Sequence, residues 1–250
     1  MNNYGKYLVA HRGFSHAYPE NTVLSVESAL ALGACFVEVD VHLSADRVPV
    51  VIHDAELQRT AETQANVMDA LFSHLQQFSV HEPRRFASRY FPQRIPALQD
   101  VVDLIKRYPG RVLFCEAKRA SIARFGIETF LDAIAPIIAT IPGQCILISF
   151  HYDLLTSAKK RGLCPVGWVF DQWDEHSLPT IDRLQPDYVF TDHASVPAQC
   201  EVLPQGPWKW VVYAIDEPDV ALQWFQKGAA MVETNDLGAM IKHPSLHTTC

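Results

Sequence analysis

Strand-like and helix-like segments alternate along nearly all of this 250-residue chain, and few architectures accept that order. Successive parallel strands joined through helices cross over in the right-handed sense, so repeated units build a parallel sheet covered by helices. Eight strand-like runs stand out, at 7–13, 35–43, 112–118, 144–150, 165–170, 187–192, 208–215 and 231–234. Helical patterns follow them at 21–32, 97–108, 123–140 (interrupted at Pro136), 153–161, 177–184, weakly at 196–202, then at 217–227 and 237–242. Eight units in a chain of this length predict an α/β fold of the (β/α)₈ TIM-barrel kind. A doubly wound open sheet is the alternative. It is weakened by the lack of a Gly-rich phosphate loop. A hairpin partner at 48–53 and an irregular stretch at 55–95, with one helix-like piece near 67–78, interrupt the alternation. They read as a small insertion after the second strand, within a single domain spanning 1–250.

The second run, Cys35 to Leu43, is the unusual one. Its side chains alternate faces, so Val37, Val39 and Val41 point one way and Glu38, Asp40 and His42 the other. Two carboxylates on a buried face need a positive partner, and a hard divalent cation with oxygen ligands is the simplest. A solvated acidic face is the bland alternative. A barrel discriminates between them, because its active residues sit at the C-terminal ends of the strands. Those ends carry His11-Arg12-Gly13, Glu38-x-Asp40, His53-Asp54 after the hairpin, and Glu116-x-Lys118. The later ends contribute Trp168, Tyr213 and Glu233.

These motifs make the chain recognisable. His11-Arg12-Gly13, Pro19-Glu20-Asn21-Thr22, Glu38 to Asp46, Val50-Val51-Ile52-His53-Asp54, Leu57-Gln58-Arg59-Thr60, Ile95-Pro96-Ala97-Leu98, Glu116-Ala117-Lys118 and Ser149-Phe150 resemble the glycerophosphodiester phosphodiesterase family. The resemblance implies a TIM barrel, one divalent metal ion (Mg²⁺ or Ca²⁺, with Mn²⁺ compatible), and hydrolysis of glycerophosphodiesters to sn-glycerol 3-phosphate and an alcohol. It implies His11 and His53 as the general acid/base pair and Glu38, Asp40 and Glu116 as metal ligands. It makes Arg12 and Lys118 phosphate contacts. Glu20, at the start of a helix, either complements the helix dipole or orients Arg12 or a histidine beside the substrate. His42 lies beyond the carboxylates and is expected either behind the reacting groups or at the rim, without a catalytic role. Asp54 is expected to orient its neighbour or cap a turn, and Asn21 and Thr22 to cap the helix. The chain departs from the family late, at Tyr213-Ala214-Ile215-Asp216 and at Glu233-Thr234-Asn235.

Composition narrows the competing functions. A hydrophobic fraction of 48% fits a folded core, and no run approaches the length of a membrane span. A net charge of −7 argues against nucleic acid or an anionic membrane as the main partner. A small glycerophosphodiester is the expected partner, and stable membrane association is not expected. The N-terminal run has no basic segment followed by an apolar one, so a secretory signal is not read there. The six cysteines fall singly. They offer no zinc spacing; Cys35, Cys115, Cys145 and Cys164 read as small hydrophobes suited to a reducing cytoplasm, and Cys250 is expected to be exposed. Trp168, Trp173, Tyr213 and Phe150 could wall a pocket, but aromatics at strand ends more often serve packing. The other histidines, His176 among them, read as structural or surface residues. Two other functions compete: a lysophospholipase D-type enzyme acting on lysolipids, and a barrel that binds phosphodiesters without cleaving them. The first would favour an apolar lip, for which 71–80 is the stretch to inspect.

Overall fold

Nine strands form one sheet in the computed structural model, which describes residues 3–174, 177–247 and 250. They are β1 Leu8–Ala10, β2 Phe36–Leu43, β3 Pro49–Val51, β4 Val112–Ala117, β5 Cys145–Ser149, β6 Val166–Val169, β7 Tyr188–Asp192, β8 Lys209–Tyr213 and β9 Met231–Thr234. Eight are parallel, and β1 pairs with both β2 and β9, which closes the ring. The chain is a TIM barrel. β3 lies outside the ring as an antiparallel partner of β2, with Val51 opposite Val41. His176 lies outside the described residues, as do Met1 and Asn2 of the N-terminal run.

The helices are α1 Val23–Ala31, α2 Gln58–Ala61, α3 Phe72–Leu75, α4 Pro83–Phe86, α5 Leu98–Lys106, α6 Arg119–Phe125, α7 Ile127–Ile138, α8 Tyr152–Lys160, α9 Ser177–Leu184, α10 Pro218–Gln226 and α11 Leu237–Met240. The Thr22 side chain caps α1 by accepting the Ser25 N–H at 3.1 Å. The break expected at Pro136 falls instead at Gly126, whose φ of +84° separates α6 from α7. Pro136 sits in the last turn of α7, where it forfeits one N–H bond and the helix ends two residues later. The helix expected at 196–202 does not form. Between 194 and 206 only Leu203 is buried, so a helix there would have no apolar face to pack. The helix-like piece at 67–78 contracts to α3.

Two apolar layers hold the barrel. Val37, Val39 and Val41 face outward into the layer beneath the helices, and Val9, Phe114, Ile148, Phe190 and Met231 fill the interior. The interior face of each early strand climbs from apolar to charged. Phe36, Glu38 and Asp40 follow one another on β2, and Phe114, Glu116 and Lys118 on and after β4. Val9 leads to His11 after β1, and Met231 to Glu233 on β9. The apolar plug therefore forms a dry floor, and every charge stands at the C-terminal mouth.

The insertion has a core of its own, made of Val50, Ile52, Leu57, Val67, Leu75, Val80 and Ile95. Cys35 and Cys250 are joined by a disulfide, with Cα atoms 5.6 Å apart. This corrects the reading of Cys35 as a plain hydrophobe and removes one pair from the argument for a reducing compartment. Cys250 itself is exposed, as expected. No helix among the described residues is long and apolar enough to cross a membrane.

Candidate active site

The turn that follows β1 builds one wall of the mouth. Arg12 and Gly13 both take positive φ, +54° and +78°. A Cβ on Gly13 would lie 2.0 Å from Ser25 Oγ, so only glycine lets α1 pack this closely against the turn. The Arg12 carbonyl accepts the Asn21 N–H at 3.0 Å and the Ser25 hydroxyl at 2.5 Å. The Arg12 N–H donates to Glu38 Oε2 at 3.0 Å. This turn brings His11 and Arg12 over the acidic face of β2.

His11, Arg12, Glu38, His53, Glu116 and Lys118 line one cleft of about 120 Å³, with Phe150, Tyr213 and Glu233 completing its wall. Asp40 lies beneath it, 1% exposed. Phe150 and Tyr213 are thus wall residues. Trp168 and Trp173 are not: they pack with the outer layer, and Trp173 donates its indole N–H to Thr191 Oγ1 at 2.7 Å. Trp168 borders a separate cleft with Phe170 and Asp171.

The carboxylates are not equivalent. Asp40 is held on every side. Lys118 Nζ reaches its Oδ1 at 3.0 Å, and Asn21 Nδ2 and Arg12 Nε reach its Oδ2 at 2.8 and 3.3 Å. Burial alone would raise its pKa, but Lys118 and then Arg12 outweigh burial and hold the carboxyl below its usual range. Glu116 has only Lys118, at 2.8 Å, and burial followed by Asp40 pushes it up to about 6. Burial, then Asp40 and Glu233, raise Glu38 well above the ordinary value. Glu38 Oε1 is buried with no hydrogen-bond partner among the described residues. An orphaned buried oxygen is costly unless something positive meets it. Glu38, Asp40 and Glu116 each place an oxygen within 4.8 Å of the others, so this set fits a hard divalent cation.

Each histidine facing the cleft has its tautomer set from behind. Asn235 Nδ2 donates to Asp216 Oδ2 at 3.1 Å, which turns the amide oxygen towards His11 Nδ1 at 2.8 Å. Nδ1 of His11 therefore carries the proton and Nε2 the lone pair. Burial first, and then Arg12, lower the His11 pKa to about 4, so the ring is neutral at pH 7. His53 Nδ1 lies 2.6 Å from Asp54 Oδ1, which leaves its Nε2 for the cleft.

Glu20 does not line the cleft. Its carboxylate is shared by Arg12 Nη1 at 3.0 Å and by Arg59 through Nη1 and Nη2 at 2.9 and 2.7 Å. Arg59 Nε also reaches Asp54 Oδ2 at 2.6 Å. A charged relay thus runs from Arg12 through Glu20, Arg59 and Asp54 to His53. Glu20 orients Arg12 and, through Arg59, His53. The insertion supports the relay a second time, since Glu82 accepts the Glu20 N–H at 2.7 Å. Arg59→Ala is expected to lower kcat about tenfold with little change in KM, because the loss of one charged hydrogen bond unfixes the His53–Asp54 pair. Steady-state kinetics check this. A change confined to KM would place Arg59 in substrate binding instead.

His42 is 2% exposed and lies outside the cleft. Its Nε2 donates to the His53 carbonyl at 3.1 Å and its Nδ1 accepts from Ser121 Oγ at 2.8 Å. It braces the His53 backbone, as its position beyond the carboxylates suggests. Burial lowers its pKa to about 4. The unfolded chain then takes up a proton near pH 6.5 that the folded chain refuses, so His42 lowers stability as pH falls from 6.5 towards 4. His42→Gln is expected to reduce that slope by up to about 1.4 kcal/mol per pH unit. Urea midpoints at pH 7 and pH 5 measure it, and parallel slopes in the two proteins would contradict it.

A family model for the glycerophosphoryl diester phosphodiesterase family matches residues 11–118, the segment that carries both histidines and all three carboxylates of the acidic set. Over that segment the chain matches the glycerophosphodiester phosphodiesterase family. Among curated relatives, it is similar to glycerophosphodiester phosphodiesterase 1 of Mus musculus, 31% identical over 48% of this chain and 36% of that one. It is also similar to a glycerophosphodiester phosphodiesterase of Caldanaerobacter subterraneus, 36% identical over 61% of each chain. The chain therefore spans from about a third to about three fifths of these relatives' lengths. A phosphodiesterase of Oleispira antarctica, solved with its product sn-glycerol 3-phosphate, shares the fold with a TM-score of 0.81. That pair is 23% identical and covers 94% of this chain and 95% of the other.

Several residues that shape this mouth show no site role in the sequence alone. Arg59 stands in the quoted Leu57-Gln58-Arg59-Thr60 motif, and its position there was its only signal. Asn21 was read as a cap, yet it accepts the Asp40 N–H at 3.0 Å as well as clamping the carboxylate. Asn235 and Asp216 appeared only as departures from the family pattern. The structure makes them the pair that sets the His11 tautomer.

Proposed function

We propose that this chain is a divalent-cation-dependent hydrolase that cleaves glycerophosphodiesters to sn-glycerol 3-phosphate and an alcohol. One observation carries the reading: two histidines held from behind at Nδ1, two phosphate-seeking cations and an acidic set with an orphaned oxygen meet in a single cleft. Glu38, Asp40 and Glu116 would hold the cation, Mg²⁺ or Ca²⁺ with Mn²⁺ also compatible. When bound, it withdraws charge from a phosphoryl oxygen and eases deprotonation of a nearby hydroxyl.

The chain's own residues supply the rest. Glu20 holds Arg12 Nη1 and Asp40 lies 3.3 Å from Nε, which presents the guanidinium in the cleft wall to a phosphate oxygen. Lys118 Nζ, now between Asp40 and Glu116, offers a second positive charge. One histidine takes the proton of the glycerol 2-hydroxyl as its oxygen attacks phosphorus. The other gives a proton to the departing alcohol oxygen. The product of this step is a cyclic glycerophosphate, which water opens with the two roles reversed. An analogue lacking the 2-hydroxyl that is cleaved at full rate would replace this route with direct attack by water.

The test is hydrolysis of glycerophosphocholine with Mg²⁺, Ca²⁺ or Mn²⁺, read by release of glycerol 3-phosphate, beside lysophosphatidylcholine as a competitor substrate. Cleavage of the first is expected. Cleavage of the lysolipid alone would favour the lysophospholipase D-type function, and cleavage of neither would leave a phosphodiester-binding barrel. In 71–80 the structure offers no long apolar face: Leu71 is exposed, while Leu75 and Val80 are buried.

A further inference from the structure

We propose that the mouth holds a second divalent cation between His11, Glu38 and Glu233, of a kind that accepts imidazole nitrogen, such as Mn²⁺ or Zn²⁺. The neighbouring Glu38–Asp40–Glu116 seat belongs to the function proposed above. The second seat rests on Glu233, which that function does not use.

Ligand atoms of His11, Glu38 and Glu233 lie within 4.8 Å of one another, and His11 Nε2 stands 3.9 Å from Glu38 Oε2. Asn235 holds the proton on Nδ1, so the Nε2 lone pair faces this space. Glu233 is 3% exposed, and its Oε1 is buried without a hydrogen-bond partner. Glu38 Oε1 is orphaned in the same way.

The surrounding positive charge is spent elsewhere. Asp40 has Arg12 and Lys118, and Glu116 has Lys118. Among the described residues no lysine or arginine side chain forms an ion pair with Glu38 or Glu233. The Arg12 guanidinium acts on both carboxylates only from a distance; a buried carboxylate pair with no directly paired cation is costly, and a cation between them removes the cost. Glu38 has two oxygens and so can serve both seats, which is how carboxylates bridge paired metals.

The two seats differ in donor chemistry. Glu38, Asp40 and Glu116 offer oxygen alone, which suits Mg²⁺ and Ca²⁺. His11, Glu38 and Glu233 add a nitrogen, which suits transition ions. A cation on His11 Nε2 would also occupy the lone pair needed for proton transfer. Excess Mn²⁺ or Zn²⁺ is therefore expected to inhibit, and excess Mg²⁺ is not.

The experiment uses calorimetry with Mg²⁺ and Mn²⁺, together with electron paramagnetic resonance of the Mn²⁺ form. Wild-type protein is expected to bind one Mg²⁺ but two Mn²⁺ per chain, the latter giving an exchange-coupled spectrum. Glu233→Gln is expected to bind one Mn²⁺ with an uncoupled spectrum, and its retained single Mg²⁺ shows that the variant is folded. One Mn²⁺ per wild-type chain would overturn the proposal and leave Glu38 and Glu233 sharing a proton. A coupled pair that survives in Glu233→Gln would also overturn it. Glu116→Gln separates the two readings. Loss of Mg²⁺ binding there supports the catalytic seat, and unchanged Mg²⁺ binding would sink that seat without touching the second.

Discussion

Replacing His11 with alanine is expected to lower turnover of a glycerophosphodiester by about 10²–10⁴-fold, the usual worth of one positioned acid or base. The effect should fall on kcat, because the imidazole acts on protons that move only in the transition state. The fold should survive, since His11 stands at the mouth, above the apolar floor, and is partly exposed. His53→Ala should lose a similar factor. The double variant should lose little more than either single variant, because an acid and a base that act in one step fail together. Circular dichroism and steady-state kinetics on the three variants check this. Near-wild-type turnover in either single variant would remove that histidine from the pair.

Stripping divalent ions with a chelator is expected to abolish turnover, and adding Mg²⁺, Ca²⁺ or one equivalent of Mn²⁺ to restore it. Glu38 is the reason. It is a buried carboxylate with an orphaned oxygen, raised by burial and by Asp40, and among the described residues no lysine or arginine side chain pairs with it. Glu38→Gln should therefore weaken cation binding sharply in calorimetry. Protons compete for the same set. Glu116, raised to about 6, must be ionised to bind, so affinity should weaken below pH 6, by up to about tenfold per pH unit. Binding that is insensitive to pH between 7 and 5 would remove Glu116 from the ligands.

The barrel was legible because alternation of strand and helix constrains topology more tightly than any single propensity does. Failures occurred where packing overrode local pattern. The stretch 196–202 looks weakly helical but has no face to bury, and the proline at 136 is tolerated because it falls in the last turn of α7. In the site, residues that read directly from strand ends, such as Glu38, Asp40 and Glu116, stood where the period-two pattern put them. Residues that act through others were silent. Arg59 lies 39 residues from Glu20, and Asn235 lies 224 from His11, so no local pattern couples them. The Cys35–Cys250 bridge, 215 residues apart, was invisible for the same reason. Trp168 and Trp173 read from sequence as either pocket wall or packing, and the fold decides for packing in the outer layer.

The central claim is that this mouth converts a glycerophosphodiester into glycerol 3-phosphate. Phosphorus NMR of glycerophosphoethanolamine incubated with the protein and Mg²⁺ tests it most directly. The account predicts that the diester resonance is replaced by the monoester resonance of glycerol 3-phosphate, with ethanolamine released in equal amount. A diester resonance that persists unchanged with Mg²⁺, Ca²⁺ and Mn²⁺ in turn would contradict it.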